Sequence, residues 1–342
     1  MSYAKSLPPR ERLHVVVLGP EHDPIAIAPL VRRGPVGQLE WLGSRLGEPM
    51  DLRATDPEAL GLLTDALART GAPLALHRVP EGSPTIDELR RSYHGKGLLT
   101  MRQAPSAPVV PLDAEWAEPE KKFNSGRRSD FRRSLRRAGE HGEVTFEVLT
   151  PSLEQLDALL DEVFEVEAAG WKSAKGTALR LDPVVGQFFR TYCAESVRDG
   201  SLRLCFMRIG GRAVATQLAV EERDRFWLLK IGYDESLARS SPGTLLMLHT
   251  IGYAAGRGMA AYEFLGSAES WTTMWTNQTR ETVHVEAYPV RPRAGVALAV
   301  NSAEVALHRV AKQVKARQAK AREAREAREN MAKQAAAKRD GQ

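Results

Sequence analysis

Ser241, Pro242, Gly243 and Thr244 are the residues whose types and spacing most directly suggest chemistry. They follow an apolar run, Phe226 to Ile231, and a Gly-Tyr-Asp-Glu turn, and they open a second apolar stretch that continues to Ala255. A short polar residue before proline marks a helix start, because its oxygen can cap free amides and proline gives up an N–H that had no partner there. Uncovered amides at the positive end of a helix form a site for phosphate or another anion. Strand, loop and helix together read as a cradle.

A second constellation is basic. Lys121 to Arg137 holds eight Lys/Arg against one Asp, and Phe131 and Leu135 stand four residues apart, so one helix face can dock while arginines fan outward. Arginine forks bind phosphate oxygens two at a time, which makes Arg132 and Arg136 candidates for a clamp on a phosphorylated substrate. The alternative is a solvated helix linking two domains. Lys230, inside the apolar run, must reach an anion or open onto a cleft, since an unpaired buried charge is costly.

These residues need a scaffold, and the chain supplies alternating strands and helices. Leu13–Leu18, Ile25–Val31 and Gln38–Gly43 read as strands, Asp56-Pro57 starts a helix, Leu74–Val79 is a strand, Ser83-Pro84 starts a second helix, and Leu98–Gln103 is another strand. Pro105, Pro108, Pro111 and Pro119 predict a connector from 104 to 119. A second unit follows: strand Val144–Leu149, a helix from Thr150-Pro151, another from Asp182-Pro183, three strands around the Gly210-Gly211 turn, the cradle, and a last strand near Thr282–Tyr288. Strands alternating with short helices over the first hundred residues argue for a compact α/β or α+β unit, with a second unit after it. The expected domains are 1–119, a basic linking helix 120–142, a second domain 143–300 and a basic helical tail 301–342.

The 342 residues carry a net charge of +5, but residues 304–342 hold eleven Lys/Arg against five Asp/Glu, so the body is close to neutral. Basicity is therefore local and argues against general nucleic-acid coating. No apolar run approaches the roughly 20 residues of a membrane span, and the N-terminus lacks a secretory core, so a cytoplasmic protein is expected. Cys193 and Cys205 fit that compartment, and no His/Cys cluster suggests a metal.

The stretches GWKSAKGTAL, RAVATQLAV, FWLLKIGYDESLARSSPGTLLM and EFLGSAESWTTMW resemble the CelD-type branch of the GNAT acyltransferases, which is similar in turn to the Fem-type peptidyl transferases. The sharpest piece is Lys230, Gly232, Tyr233, Asp234, Ser241, Pro242 and Gly243, and the resemblance extends from about Leu13 to Tyr288. It implies an α+β fold of two GNAT-like mixed-sheet halves, the N-terminal one partial or degenerate, and an acyl-coenzyme A donor whose pyrophosphate meets Arg239, Ser240, Ser241, Gly243 and Thr244. Aminoacyl-tRNA, the Fem-type donor, is the less expected alternative.

Transfer needs an amine or hydroxyl held against a thioester or ester, a proton acceptor, and a donor to the leaving group; proximity supplies much of the rate. In this resemblance Glu167 is the candidate proton acceptor and Tyr233 the acid for the leaving thiolate. Their alternative roles are a helix-end surface carboxylate and packing at a strand end. Trp171, Lys172, Gln217, Lys230 and Trp271 complete the expected substrate site, with a cell-envelope sugar or polysaccharide precursor as the expected acceptor. Where relatives tend to carry a lysine after the aromatic of the last motif, this chain has Thr272.

The tail, with AREAREARE at its centre, favours helix but has few apolar residues to bury. It reads either as a contact for a polyanion or acidic membrane surface, or as a solubilising extension. Two non-enzymatic functions stay open at this point: a GNAT-like binding module of a polysaccharide assembly, and RNA binding through the basic segments.

Overall fold

A computed structural model describes residues 7, 11–20, 22–170, 183–303, 305–307 and 317. Trp171, Lys172 and nearly all of the basic tail lie outside the described residues.

Twelve strands form one mixed sheet: β1 Glu11–Leu18, β2 Ala26–Arg33, β3 Gln38–Trp41, β4 Arg53–Ala54, β5 Leu74–Pro80, β6 Gly97–Pro111, β7 Val144–Leu149, β8 Leu202–Ile209, β9 Arg212–Glu222, β10 Arg225–Tyr233, β11 Ala261–Glu263 and β12 Thr279–Pro289. The helices are α1 Pro57–Arg69, α2 Pro84–Tyr93, α3 Ser125–Gly139, α4 Leu153–Ala168, α5 Pro183–Arg198 and α6 Pro242–Gly256; residues 292–303 form a further helix, α7.

Two helix starts follow local chemistry. Asp56 accepts from Ala59 N at 2.8 Å and Ser83 from Thr85 N at 3.0 Å, each just before the proline that opens the helix. These side chains satisfy amides that the first helical turn leaves open.

The sheet runs β1-β2-β3-β5-β12-β6-β11-β10-β9-β8-β7, with β4 paired to β2. Its two ends repeat one unit. In the first, β2 and β3 are antiparallel, α1 follows, and β5 returns parallel to β3. In the second, β9 and β10 are antiparallel, α6 follows, and β11 returns parallel to β10. The fold is α+β with two GNAT-like halves. The halves exchange strands where they meet, because β12 lies between β5 and β6 while β6 lies between β12 and β11.

That exchange corrects two expectations. Residues 104–111 are not a connector but the second part of β6. The prolines are tolerated because the strand needs their acceptors more than their missing donors: Pro105 O accepts from Thr282 Oγ1 at 2.9 Å, and Pro108 O accepts from Phe264 N at 3.1 Å where β6 passes from β12 to β11. The last strand, β12, ends in the sheet of the first half and not beside its own.

The core follows the faces of the sheet. Leu30, Trp41, Leu63, Leu67, Leu76 and Val285 pack under α1. In the second half, α4 and α5 cover one face with Leu160, Phe164 and Phe189 against Leu204, Phe206 and Leu218. On the other face, α6 and α3 set Leu246, Ile251 and Phe131 against Cys205, Ala215, Ala219 and Phe226.

Candidate active site

The site begins where two parallel strands part. β10 and β11 pair across only three residues, Arg225–Trp227 with Ala261–Glu263, and diverge beyond them. The opening is a cavity of about 690 Å³ on the α6 face, walled by the end of β10, by Gln217 of β9, by the start of α6 and by the segment Glu269–Trp275.

A bulge decides which side chains of β10 reach it. Leu228 pairs with Ala219 and Lys230 with Leu218, so Leu229 is an extra residue in the strand. Leu229 packs with the core under α4 and α5, and Lys230 lies over the Phe189 ring at 5.2 Å in that same layer. Ile231 and Tyr233 are thereby turned to the α6 face and into the cavity. Lys230, expected at the substrate, is on the far side of the sheet.

Glu167 is on that far side as well. It is 2% exposed, at the end of α4. A Cβ added at Gly232 would meet Glu167 Cα at 2.6 Å, so only glycine lets α4 press so closely on β10. The backbone of β10 separates Glu167 from the cavity lined by Ile231 and Tyr233.

At the helix mouth Ser241 differs from the expected cap. It is left-handed (φ 47°, ψ 50°), and its side chain makes no capping bond. Its N–H closes the preceding 3-10 turn onto Ala238 O at 3.0 Å, while its carbonyl accepts from Thr244 N and Leu245 N. Among the described residues nothing accepts from the Gly243 N–H. Gly243 lies against Tyr233: a Cβ there would stand 3.4 Å from the tyrosine ring. Ser241, Gly243 and Thr244 line the cavity; Ser240 is 2% exposed beneath it, and Arg239 is exposed outside, its carbonyl accepting from Arg137 Nη1 at 3.3 Å.

Gln217 stands at the floor, 1% exposed, its Oε1 accepting from Tyr262 OH at 3.1 Å. Burial, against the opposing hydrogen bonds to Thr250 and Gln217, holds the Tyr262 hydroxyl well above the usual phenol range, so it stays a donor and fixes that amide. Trp271 forms part of the opposite wall, edge-on to Phe264 at 5.5 Å and donating from Nε1 to Glu269 Oε2 at 3.0 Å. Thr272, where a lysine was expected in relatives, is 1% exposed and ties the turn under Glu269: its Oγ1 donates to Glu269 O at 2.8 Å and accepts from Glu269 N at 3.2 Å.

Arg132 and Arg136 are exposed on α3 and do not line the cavity; Arg127, two residues into that helix, does. Arg127, Glu269 and Met274 are among the cavity residues that sequence reasoning missed. Asn124, which accepts from Arg127 N at 2.9 Å, is the local signal that would have located the start of α3 and hence Arg127.

Chemically, the cavity offers free amide character and a guanidinium for an anion, a phenol with no described partner, and an exposed carboxylate, Glu269, across from it. Among the described residues no helix is long and apolar enough to cross a membrane.

Residues 125–272 match the acetyltransferase (GNAT) domain family. No curated protein matches the sequence. The fold is similar to the C-terminal domain of a protein titled a lysylphosphatidylglycerol synthetase from Agrobacterium fabrum (15% identity, 86% of this chain and 88% of that one, TM-score 0.52). It is also similar to FemX (12% identity, 84% and 90%, TM-score 0.52) and to a conserved protein of unknown function from Bacteroides thetaiotaomicron (10% identity, 81% and 85%, TM-score 0.50). At these identities the likeness is one of fold, and the sequence similarity to the acetyltransferase (GNAT) domain family is confined to residues 125–272, which carry most of the cavity's lining.

Proposed function

We propose that the protein transfers an acyl group from acyl-coenzyme A to an amine or hydroxyl by direct attack in a ternary complex. The observation that carries this reading is the mouth of α6, with the Gly243 N–H and Thr244 opening onto the cavity and Arg127 beside them. That arrangement suits the pyrophosphate of the donor, because helix amides and a guanidinium both favour anionic oxygen.

Tyr233 then stands at the donor's thioester end, where its hydroxyl gives a proton to the departing thiolate. Glu269 takes the proton released by the attacking amine or hydroxyl, and Trp271 holds that carboxylate through its indole N–H. No covalent intermediate is needed, since the cavity can bring both reactants together. In this reading the acceptor is a cell-envelope sugar precursor, as the CelD-type motifs suggest, and the aromatic wall at Trp271 suits a sugar face.

The test is calorimetric titration of the full chain with acetyl-coenzyme A. Saturable binding, weakened roughly three- to tenfold by Arg127→Ala, is expected for one exposed charge-assisted contact. A folded protein that binds no acyl thioester overturns the proposal.

A donor carried on nucleic acid is favoured by one observation. Arg128, Arg132 and Arg136 recur every four residues on α3 and have no carboxylate partner among the described residues, next to a helix start that borders the cavity. Such a donor predicts binding that falls steeply with salt, whereas a single pyrophosphate contact predicts a shallow dependence.

A further inference from the structure

We infer that Arg78 and Glu48, both in the first half of the chain, are positioning residues that hold the cavity wall carrying Glu269 and Trp271. The inference rests on the acyl-transfer reading for its functional consequence, but its geometry stands apart from that reading.

After β11 the chain must turn away from the sheet to reach Glu269, and it does so through two successive left-handed residues, Leu265 (φ 56°) and Gly266 (φ 51°). Left-handed backbone costs a leucine about 1–2 kcal/mol, so something must hold the turn. Gly266 is held at both of its polar groups. Its N–H donates to Glu48 Oε2 at 2.9 Å, and its carbonyl accepts from Arg78 Nη2.

The same guanidinium donates through Nη1 to Gly47 O, the residue before Glu48, so one side chain spans both strands of the clasp. Arg78 is 6% exposed and itself left-handed at φ 58° within β5, a conformation that turns it out of the strand's alternation and toward the second half. Its backbone carbonyl accepts from Met50 N at 3.2 Å, which ties the 47–50 segment to β5 a second time. Burial lowers the affinity of the guanidinium for its proton and the Glu48 carboxylate opposes this, as expected for a charge held inside by a partner.

Among the described residues the wall is held elsewhere by Trp271, edge-on to Phe264, and at its far end. Thr276 Oγ1 donates to Val109 O at 2.7 Å and Trp275 sits edge-on to Phe123 at 5.6 Å. Between Phe264 and Glu269, the backbone hydrogen bonds of the described residues are those of Gly266. A segment pinned at Gly266 and Thr276 presents Glu269 and Trp271 at one depth in the cavity; released at Gly266, it keeps only the Trp271–Phe264 ring contact and its far end, and its backbone loosens.

Two variants test this, Glu48→Ala and Arg78→Met, followed by amide hydrogen exchange across residues 264–275 and by acetyl-coenzyme A titration. Exchange in 264–275 is expected to rise at least tenfold in both while β8 and β9 keep their protection, with the acetyl-coenzyme A dissociation constant raised several-fold. Glu48 is only half-buried, so Glu48→Ala carries the test if Arg78→Met does not fold. Arg78→Lys, which can reach one carbonyl but not two, is expected to fall between. Unchanged exchange in Glu48→Ala, or exchange that rises equally throughout the chain, overturns the inference. So does local loosening that leaves acetyl-coenzyme A affinity untouched. If the wild-type protein binds no acyl thioester, the functional reading fails, while the exchange data still decide whether the clasp holds the wall.

Discussion

Tyr233 and Gly232 are neighbours with opposite duties. Tyr233 faces the cavity over Gly243, and its hydroxyl has no partner among the described residues. If it supplies the leaving group's proton, Tyr233→Phe lowers kcat by roughly 10²–10⁴-fold with little change in donor affinity, the range for one general acid, read by steady-state kinetics with acetyl-coenzyme A. Gly232 faces the other layer, where any Cβ meets the backbone of Glu167. Gly232→Ala is expected to cost about 1–3 kcal/mol or more by denaturant titration, because two backbones and no flexible side chain must move apart. The sequence displayed the tyrosine and the glycine side by side. It did not display the bulge at Leu229, and without it simple alternation sends Lys230 to the wrong layer. The burial of Glu167 was hidden for a related reason: a carboxylate at a helix end reads as surface-exposed until the glycine opposite brings the helix down on it.

At the scale of elements, the starts of α1 and α2 were legible because capping is local: Asp56-Pro57 and Ser83-Pro84 carry their own instructions. The start of α6 was placed correctly, but Ser241 is left-handed since it must also end the 3-10 turn before it. What no local signal gives is a partner strand. β12 crosses to β5, and there His284 Nδ1 lies 3.1 Å from His77 Nδ1. Burial, with Arg102, His77 and Arg78 adding to it, pushes His284 down to about 4, and burial lowers His77 as well. Both are therefore neutral in the folded protein when an unfolded histidine, near 6.5, begins to take up protons. Unfolded chains bind more protons in that interval, so stability is full above about pH 6.5 and falls as pH drops toward 4. Thermal denaturation from pH 7.5 to 4.5 is expected to show this slope, and the double variant His77→Phe/His284→Leu to flatten part of it. His14 and His249, also lowered by burial, leave a remainder of the same sign.

For the whole molecule, the strand exchange joins what the sequence suggested as separable domains. The 1–119 half needs β12 from beyond residue 278 to cover β5, and the 143–300 half needs residues 109–111 of β6 to cover β11. Cutting between them exposes the edge of β5, with Leu74, Leu76 and Val79 of its core, and the edge of β11, with Tyr262. Unpaired apolar edges of this kind are templates for aggregation and not stable boundaries. A chain of residues 120–342 alone is thus expected to be insoluble or to lack a sharp melting transition, and the full chain to unfold in one calorimetric step whose van't Hoff and measured enthalpies agree. Two resolved transitions, or a well-folded 120–342 fragment, would show the halves to be independent. The same exchange gives the first half a part in the site: β5 carries Arg78, and Arg78 reaches the segment that walls the cavity. A fragment holding all the residues of the helix mouth is then expected to bind acetyl-coenzyme A more weakly than the full chain even where it can be kept in solution.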